Sequence, residues 1–188
     1  MGMLISMAYK ENPNYHRGQV NYSNKNAVEN VIRYVTRSRP NEDRGDSLIS
    51  YGGKGVNHFG TSGEMINQFL YVQRVYNIDR RGGRRLYHEV FNLTDEDFKR
   101  LCFDLNQVSI FAQTICNVYY KMGHQVVYAI HYEPEEHLHI HFVVNTINFR
   151  TGRKWHEYKA STACREMLFN EILRNQQCII IKKIANIC

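Results

Sequence analysis

Four histidines, His131, His137, His139 and His141, fall within eleven residues of a chain that holds nine in all. Neutral imidazole is a ligand for Zn, Mn, Fe, Ni or Cu, so this density points to a divalent ion. Successive side chains of a strand point to opposite sides. Read at that period, residues 137–145 put Leu138, Ile140, Phe142 and Val144 on one face and His137, His139, His141, Val143 and Asn145 on the other. The preceding run alternates in the same way, with Val126, Tyr128, Ile130 and Tyr132 against Val127, Ala129, His131 and Glu133. Glu133-Pro-Glu-Glu then joins two strands of a hairpin, and a loop with an odd number of residues sets His131 opposite His139. Opposed Cβ atoms lie roughly 5 Å apart and alternate residues of one strand about 6.5–7 Å apart, so three imidazoles can converge on one ion. His131, His139 and His141 are the expected ligands, with His137, nearer the turn, as the alternative third member. An ion held this way keeps positions open for a substrate.

Such an ion polarises a phosphoryl oxygen as a Lewis acid. A tyrosine hydroxyl can supply the nucleophile once loss of its proton is eased, and the chain has 13 tyrosines from which composition alone does not choose. The formal net charge of +6 suits a polyanionic partner, whose phosphates arginines would neutralise. Together these groups describe transesterification at a nucleic-acid phosphate.

The elements that must position them follow from the rest of the chain. At 188 residues it is long enough for one domain with a substantial core. A first strand is expected over residues 3–9, followed by a polar segment. Asn26 and Glu29 resemble a capping box, and Ala27, Val28, Val31, Ile32 and Val35 recur at helical spacing, predicting a helix over 26–37. Tyr34 lies on the flank of that stripe near its end, with Arg33, Arg37 and Arg39 around it. Residues 38–60 are rich in glycine and read as an irregular excursion. A helix over 63–76, a basic loop over 80–85, a strand over 86–93 and a helix start at Thr94 come next. One long helix is expected from Phe98 to just before Gly123. After the histidine hairpin, a turn at 148–154 leads to a helix over 160–175 and an apolar tail, 178–184, read as an edge strand. The fold class is α+β, a central antiparallel or mixed sheet flanked by helices. Five scattered cysteines read as reduced thiols of an intracellular protein. No apolar run spans a membrane and no signal peptide stands out, so no membrane insertion is expected.

His139-Ile-His141 is a His, hydrophobic, His motif. The stretch 131–145 resembles the third motif of the conjugative and mobilisation relaxases of the HUH endonuclease superfamily, the group related to the Agrobacterium border nuclease and the P-type plasmid enzymes. Val31-Ile-Arg-Tyr34-Val-Thr-Arg37 is similar to that family's first motif. Leu86-Tyr-His88-Glu-Val-Phe-Asn92 resembles its second motif, departing where Phe-Asn stands for the usual Ser-Phe.

The resemblance implies the HUH relaxase fold, in a single domain over 1–188 that is either the whole protein or the N-terminal part of a longer one. It implies site- and strand-specific nicking and joining of DNA at an origin of transfer, with Tyr34 forming a 5′-phosphotyrosyl adduct and leaving a free 3′-hydroxyl. The ion would be Mg or Mn, with Zn, Ni or Co accepted in vitro. Glu133 would orient His131 or act on a water of the ion. Arg37, Arg80, Arg81, Arg84, Arg85 and Lys154 would contact DNA, and His88, His137 and Asn145 are further candidates for the site. Implied partners are single-stranded DNA, accessory DNA-binding proteins and a type IV coupling protein, in the bacterial cytoplasm.

Two rival classes share part of this pattern. A rolling-circle replication initiator places its tyrosine after the histidines, where Tyr158 is nearest. A His-x-His metalloenzyme acting on small molecules needs neither a basic surface nor Tyr34. Tyr9, Tyr15 and Tyr22 are alternative nucleophiles, and Trp155 either stacks on single-stranded DNA or packs.

Overall fold

Alternation at period two is realised as a β-hairpin buried on both faces. The computed structural model describes residues 1–6, 22–38, 47–133, 137–156 and 159–185. Strands β1 (Met3–Ser6), β2 (Ser47–Lys54), β3 (Leu86–Asn92), β4 (Val126–Glu133) and β5 (His137–Asn145) form one sheet in the order β1-β3-β5-β4-β2. Every neighbouring pair is antiparallel. Glu133 pairs with His137 across a connection of three residues, so His131 stands opposite His139, as the odd loop requires.

Helices α1 (Ala27–Val35) and α2 (Ser62–Val75) cover one face, and α5 (Leu105–Lys121) and α6 (Lys159–Ala185) the other, with α3 (Ile78–Arg81) and α4 (Asp95–Arg100) as short connectors. Leu138, Ile140, Phe142 and Val144 join Phe111, Ile115 and Phe169 in the core on the α5 and α6 side. Val127, Ala129 and Val143 meet Val28, Val31, Ile32, Val35 and Phe69 on the α1 and α2 side. The histidine face is therefore roofed by helices, and what it carries is shielded from water. This is an α+β fold with an antiparallel sheet between helices. Among the described residues no helix is long and apolar enough to cross a membrane, and Cys102, Cys116, Cys164 and Cys178 are free thiols.

Several elements differ from the sequence reading. Residues 47–54, expected to be irregular, form β2: a Cβ on Gly52 would lie 2.6 Å from the Tyr128 ring and one on Gly53 2.6 Å from the Val126 carbonyl oxygen. These glycines serve close approach, not looseness. The long helix expected from Phe98 is broken between α4 and α5, where Cys102 and Phe103 take φ of 59° and 52° and Asp104 caps the Asn106 amide. The apolar tail predicted as an edge strand continues α6, with Phe169, Leu173, Gln177 and Ile180 inward at helical spacing. Asn26 makes no side-chain cap, whereas Thr61 and Glu64 form a complete capping box at the start of α2. The first strand ends at Ser6; residues 7–9 of the expected strand lie outside the described residues. Trp155 packs on Tyr87, Tyr119 and His124.

Glu89 is completely buried on the α5 and α6 side, where it accepts from Arg165 of α6 and from the Tyr119 hydroxyl of α5. Burial and the Glu89 charge both push the Tyr119 phenol well up, so it stays a donor. Breaking a buried pair strands the remaining charge, at a cost of about 3–5 kcal/mol. Arg165→Met is accordingly expected to lower the urea stability by about that amount. A loss under about 1 kcal/mol would mean that the pair is no better than a surface one.

Candidate metal centre and nucleophile

His139 and His141 are two residues apart on β5 and share one face, and β4 contributes His131 directly across from His139. Each offers a ring nitrogen, and these atoms lie within 4.8 Å of one another. Ring centroids are 5.4 Å apart for His131 and His139, 4.6 Å for His131 and His141, and 4.9 Å for His139 and His141. All three are buried, with exposures of 0%, 6% and 4% in chain order. Burial depresses His131 to about 4 and His141 well below the ordinary value. Both are thus held neutral, the form in which imidazole binds an ion.

The second nitrogens are arranged by neighbours. His131 Nε2 donates to the Val35 carbonyl at 2.7 Å, and its Nδ1 accepts from Arg37 Nη2 at 2.8 Å. The lone pair that His131 can offer an ion is therefore the one Arg37 now faces. His141 Nδ1 lies 2.9 Å from His88 Nε2. His141 Nε2 is buried with no hydrogen-bond partner among the described residues. A buried orphan nitrogen beside two other imidazoles fits a divalent cation.

The tyrosine arrives on the last turn of α1. The apolar stripe of that helix is pressed onto the sheet, and its C-terminal end reaches the histidines through Val35. Tyr34, half-buried at the flank, sets its ring centroid 5.9 Å from His141 and 6.2 Å from His88. Arg37, in the left-handed region at φ 52°, donates to the Tyr34 carbonyl at 2.7 Å and holds its guanidinium 4.9 Å from the Tyr34 ring centre. Tyr34, the Arg37 guanidinium and the histidines thus occupy one corner of the sheet.

Other residues singled out in the sequence lie elsewhere. The basic turn precedes Leu86, which pairs with Asn145, four residues along β3 from Val90 opposite His141, a distance of about 13 Å. There Arg85 is buried and bonded to Asp79, Arg81 donates to the Gly152 carbonyl, Lys154 to the Gly82 carbonyl, and Arg84 stacks on Tyr87, while Arg80 is exposed. Asn145 is not brought to the histidines: its amide joins Gln73, Gln125 and the Phe69 carbonyl in a buried network that ties α2 to the sheet. Glu133 and His137 pair through their backbones beyond His131 and His139; their side chains, and Tyr9, Tyr15, Arg39 and Tyr158, lie outside the described residues.

His88 and Tyr22 carry more than their sequence signal suggested. The Tyr22 hydroxyl is 3.2 Å from His88 Nδ1, and burial, then the nearby His131, depresses His88 to about 3. Only the pairing of β3 with β5 brings His88 to His141, and no local pattern reports that pairing.

An antiparallel sheet that turns a His-hydrophobic-His pair and a third histidine toward a helix-borne tyrosine defines an HUH-type endonuclease. The chain belongs to the relaxase family: the family model described as "Relaxase: MobA/VirD2-like, nuclease domain" matches residues 34–178. Neither the curated proteins nor the solved structures gave a match.

The depressed histidines make the metal-free protein acid-sensitive. Below the ordinary value of 6.5 the unfolded chain takes up protons that the folded chain refuses, down to about 4 at His131 and about 3 at His88. Stability is fully present above pH 6.5 and falls as the pH drops toward those values. Urea titrations of metal-free protein are expected to give a lower midpoint at pH 5 than at pH 7.5. Equal midpoints would show that these rings accept protons without cost.

Proposed function

We propose that this chain nicks and rejoins one strand of DNA at an origin of transfer, through a 5′-phosphotyrosyl intermediate on Tyr34, to start conjugative transfer or mobilisation. The observation that carries this reading is the Tyr34 ring lodged against His141 and His88. His131, His139 and His141 would hold a divalent ion, Mg or Mn. When bound, the ion supplies Lewis-acid polarisation of a phosphoryl oxygen.

Tyr34 Oη forms the new bond to phosphorus, the bond from phosphorus to the 3′-oxygen breaks, and the tyrosine proton is balanced by the one gained at the 3′-hydroxyl. One phosphodiester is exchanged for another, so the bond energy is kept for rejoining. Arg37 holds positive charge beside the nucleophile, where phosphate charge arrives. The neutral His88 and His141 admit a cation without like-charge repulsion. Glu133, at the end of the hairpin, would orient the third histidine, with His137 as the alternative to His131. Arg80, Arg81, Arg84 and Lys154 would follow the DNA backbone farther along the sheet, and Arg85 would brace that turn. The natural setting is the bacterial cytoplasm, with accessory DNA-binding proteins and a type IV coupling protein as partners.

Incubation with end-labelled single-stranded oligonucleotides from origins of transfer, in Mn²⁺, tests the reading. With a 3′-end-labelled oligonucleotide a labelled protein band is expected, and with a 5′-end-labelled one a shortened free fragment ending in a 3′-hydroxyl. No adduct and no nick across an origin library would refute it.

A further inference from the structure

We propose that His88 and Tyr22 form a hydrogen-bonded relay that sets the tautomer of His141 and turns its Nε2 lone pair toward His131 and His139, which makes His88 a positioning residue for the ion. The inference rests on the ion-binding reading above.

His88 stands on β3 opposite Val143, one diagonal step from His141 on the same face. Its Nε2 meets His141 Nδ1 at 2.9 Å, the two rings stack at 5.0 Å, and its Nδ1 meets the Tyr22 hydroxyl at 3.2 Å. Protons can fill this chain in two directions. If Tyr22 donates to His88, then His88 Nε2–H donates to His141 Nδ1, and the His141 proton sits on Nε2. That atom is buried and has no acceptor among the described residues, an arrangement that costs roughly 1–3 kcal/mol. In the other direction His141 Nδ1–H donates to His88 Nε2, and His88 Nδ1–H donates to the Tyr22 oxygen. The His141 Nε2 lone pair is then free to bind.

Only the second direction leaves a ligand on Nε2, and it gives His141 the outer hydrogen bond that an ion-binding imidazole ordinarily donates. His131 shows the same arrangement from the other side, with Nε2–H on the Val35 carbonyl and its lone pair on Nδ1. Two of the three histidines would thus be set in opposite tautomers by neighbours drawn from different elements, α1 for one and β3 for the other. Tyr22 closes the chain from before α1, where its own φ of 51° turns the backbone.

The test measures Mn²⁺ affinity from the free-ion paramagnetic resonance signal, in parallel with ¹⁵N histidine spectra of the metal-free protein. His88→Leu removes the acceptor and is expected to weaken Mn²⁺ binding about 10–100-fold, the usual cost of losing such a partner. His88→Gln, whose Oε1 can accept from His141 Nδ1–H, is expected to restore most of the affinity. Tyr22→Phe should lose less than His88→Leu. The spectra should place the His141 proton on Nδ1 in the wild type and shift it toward Nε2 in His88→Leu.

Equal weakening by Leu and Gln, wild-type affinity in His88→Leu, or a wild-type proton on Nε2 would overturn the relay. If His88→Leu fails to fold by circular dichroism, His88→Gln, Tyr22→Phe and the wild-type spectrum still decide it. His141→Ala separates the two readings: if it binds Mn²⁺ as the wild type does, or if the wild type binds none, the ion site fails. The ¹⁵N tautomer then judges the relay by itself.

Discussion

Tyr34→Phe is expected to abolish the covalent DNA adduct, with nicking slowed by roughly 10⁴-fold or more, the scale on which loss of a nucleophile acts. The change deletes one oxygen and keeps the ring that packs on His88 and His141 and lies under Arg37. Thermal stability and oligonucleotide affinity should therefore stay close to wild type. Separation of labelled adducts on denaturing gels, beside filter binding of the same oligonucleotide, reads both quantities. An undiminished adduct would move the nucleophile to another tyrosine, with Tyr22 the first to replace because its hydroxyl already lies at His88.

Replacing His139 or His141 by alanine is expected to remove high-affinity ion binding and to slow nicking by about 10³-fold or more, a loss comparable to removing a main electrostatic stabiliser. DNA binding should largely persist, because affinity for a strand comes mostly from phosphate contacts with basic side chains. Alanine also opens space in a buried site, so His139→Gln and His141→Gln give a second measure at nearly constant volume. Calorimetric titration with Mn²⁺, nicking rates and oligonucleotide affinity are compared for all four variants. Equal loss of DNA binding and nicking would make the histidines structural.

The hairpin was legible because its information is local. A side chain switches face at every residue, so the apolar members Leu138, Ile140, Phe142 and Val144 settle which way the histidines point. A connection of three residues then fixes the opposition of His131 and His139. The place of Tyr34 beside the histidines was legible through its motif and through the apolar stripe that seats α1. What could not be read depends on partners distant in the chain. Nothing near His88 announces that β3 lies along β5, and nothing near Asn145 announces Gln73 and Gln125, so the contact of His88 with His141 was not foreseen and Asn145 was placed too near the histidines. Glycine misled for a related reason: at Gly52 and Gly53 the missing side chain makes room for Tyr128 and Val126, which only the paired strand reveals. The basic turn showed its charge but not that Arg85 is already bound to Asp79.

The strand that carries His139 and His141 is bonded along both edges, to β3 and to β4. Tyr34 instead rides on a nine-residue helix held by the burial of one side-chain stripe and, at its end, by the Val35 carbonyl on His131. Heat should undo these attachments in sequence, since a helix end opens with fewer broken contacts than a central strand. Warmed gradually, the protein would part Tyr34 and Val35 from the histidines before the sheet opens, and on cooling α1 would settle again onto an intact sheet.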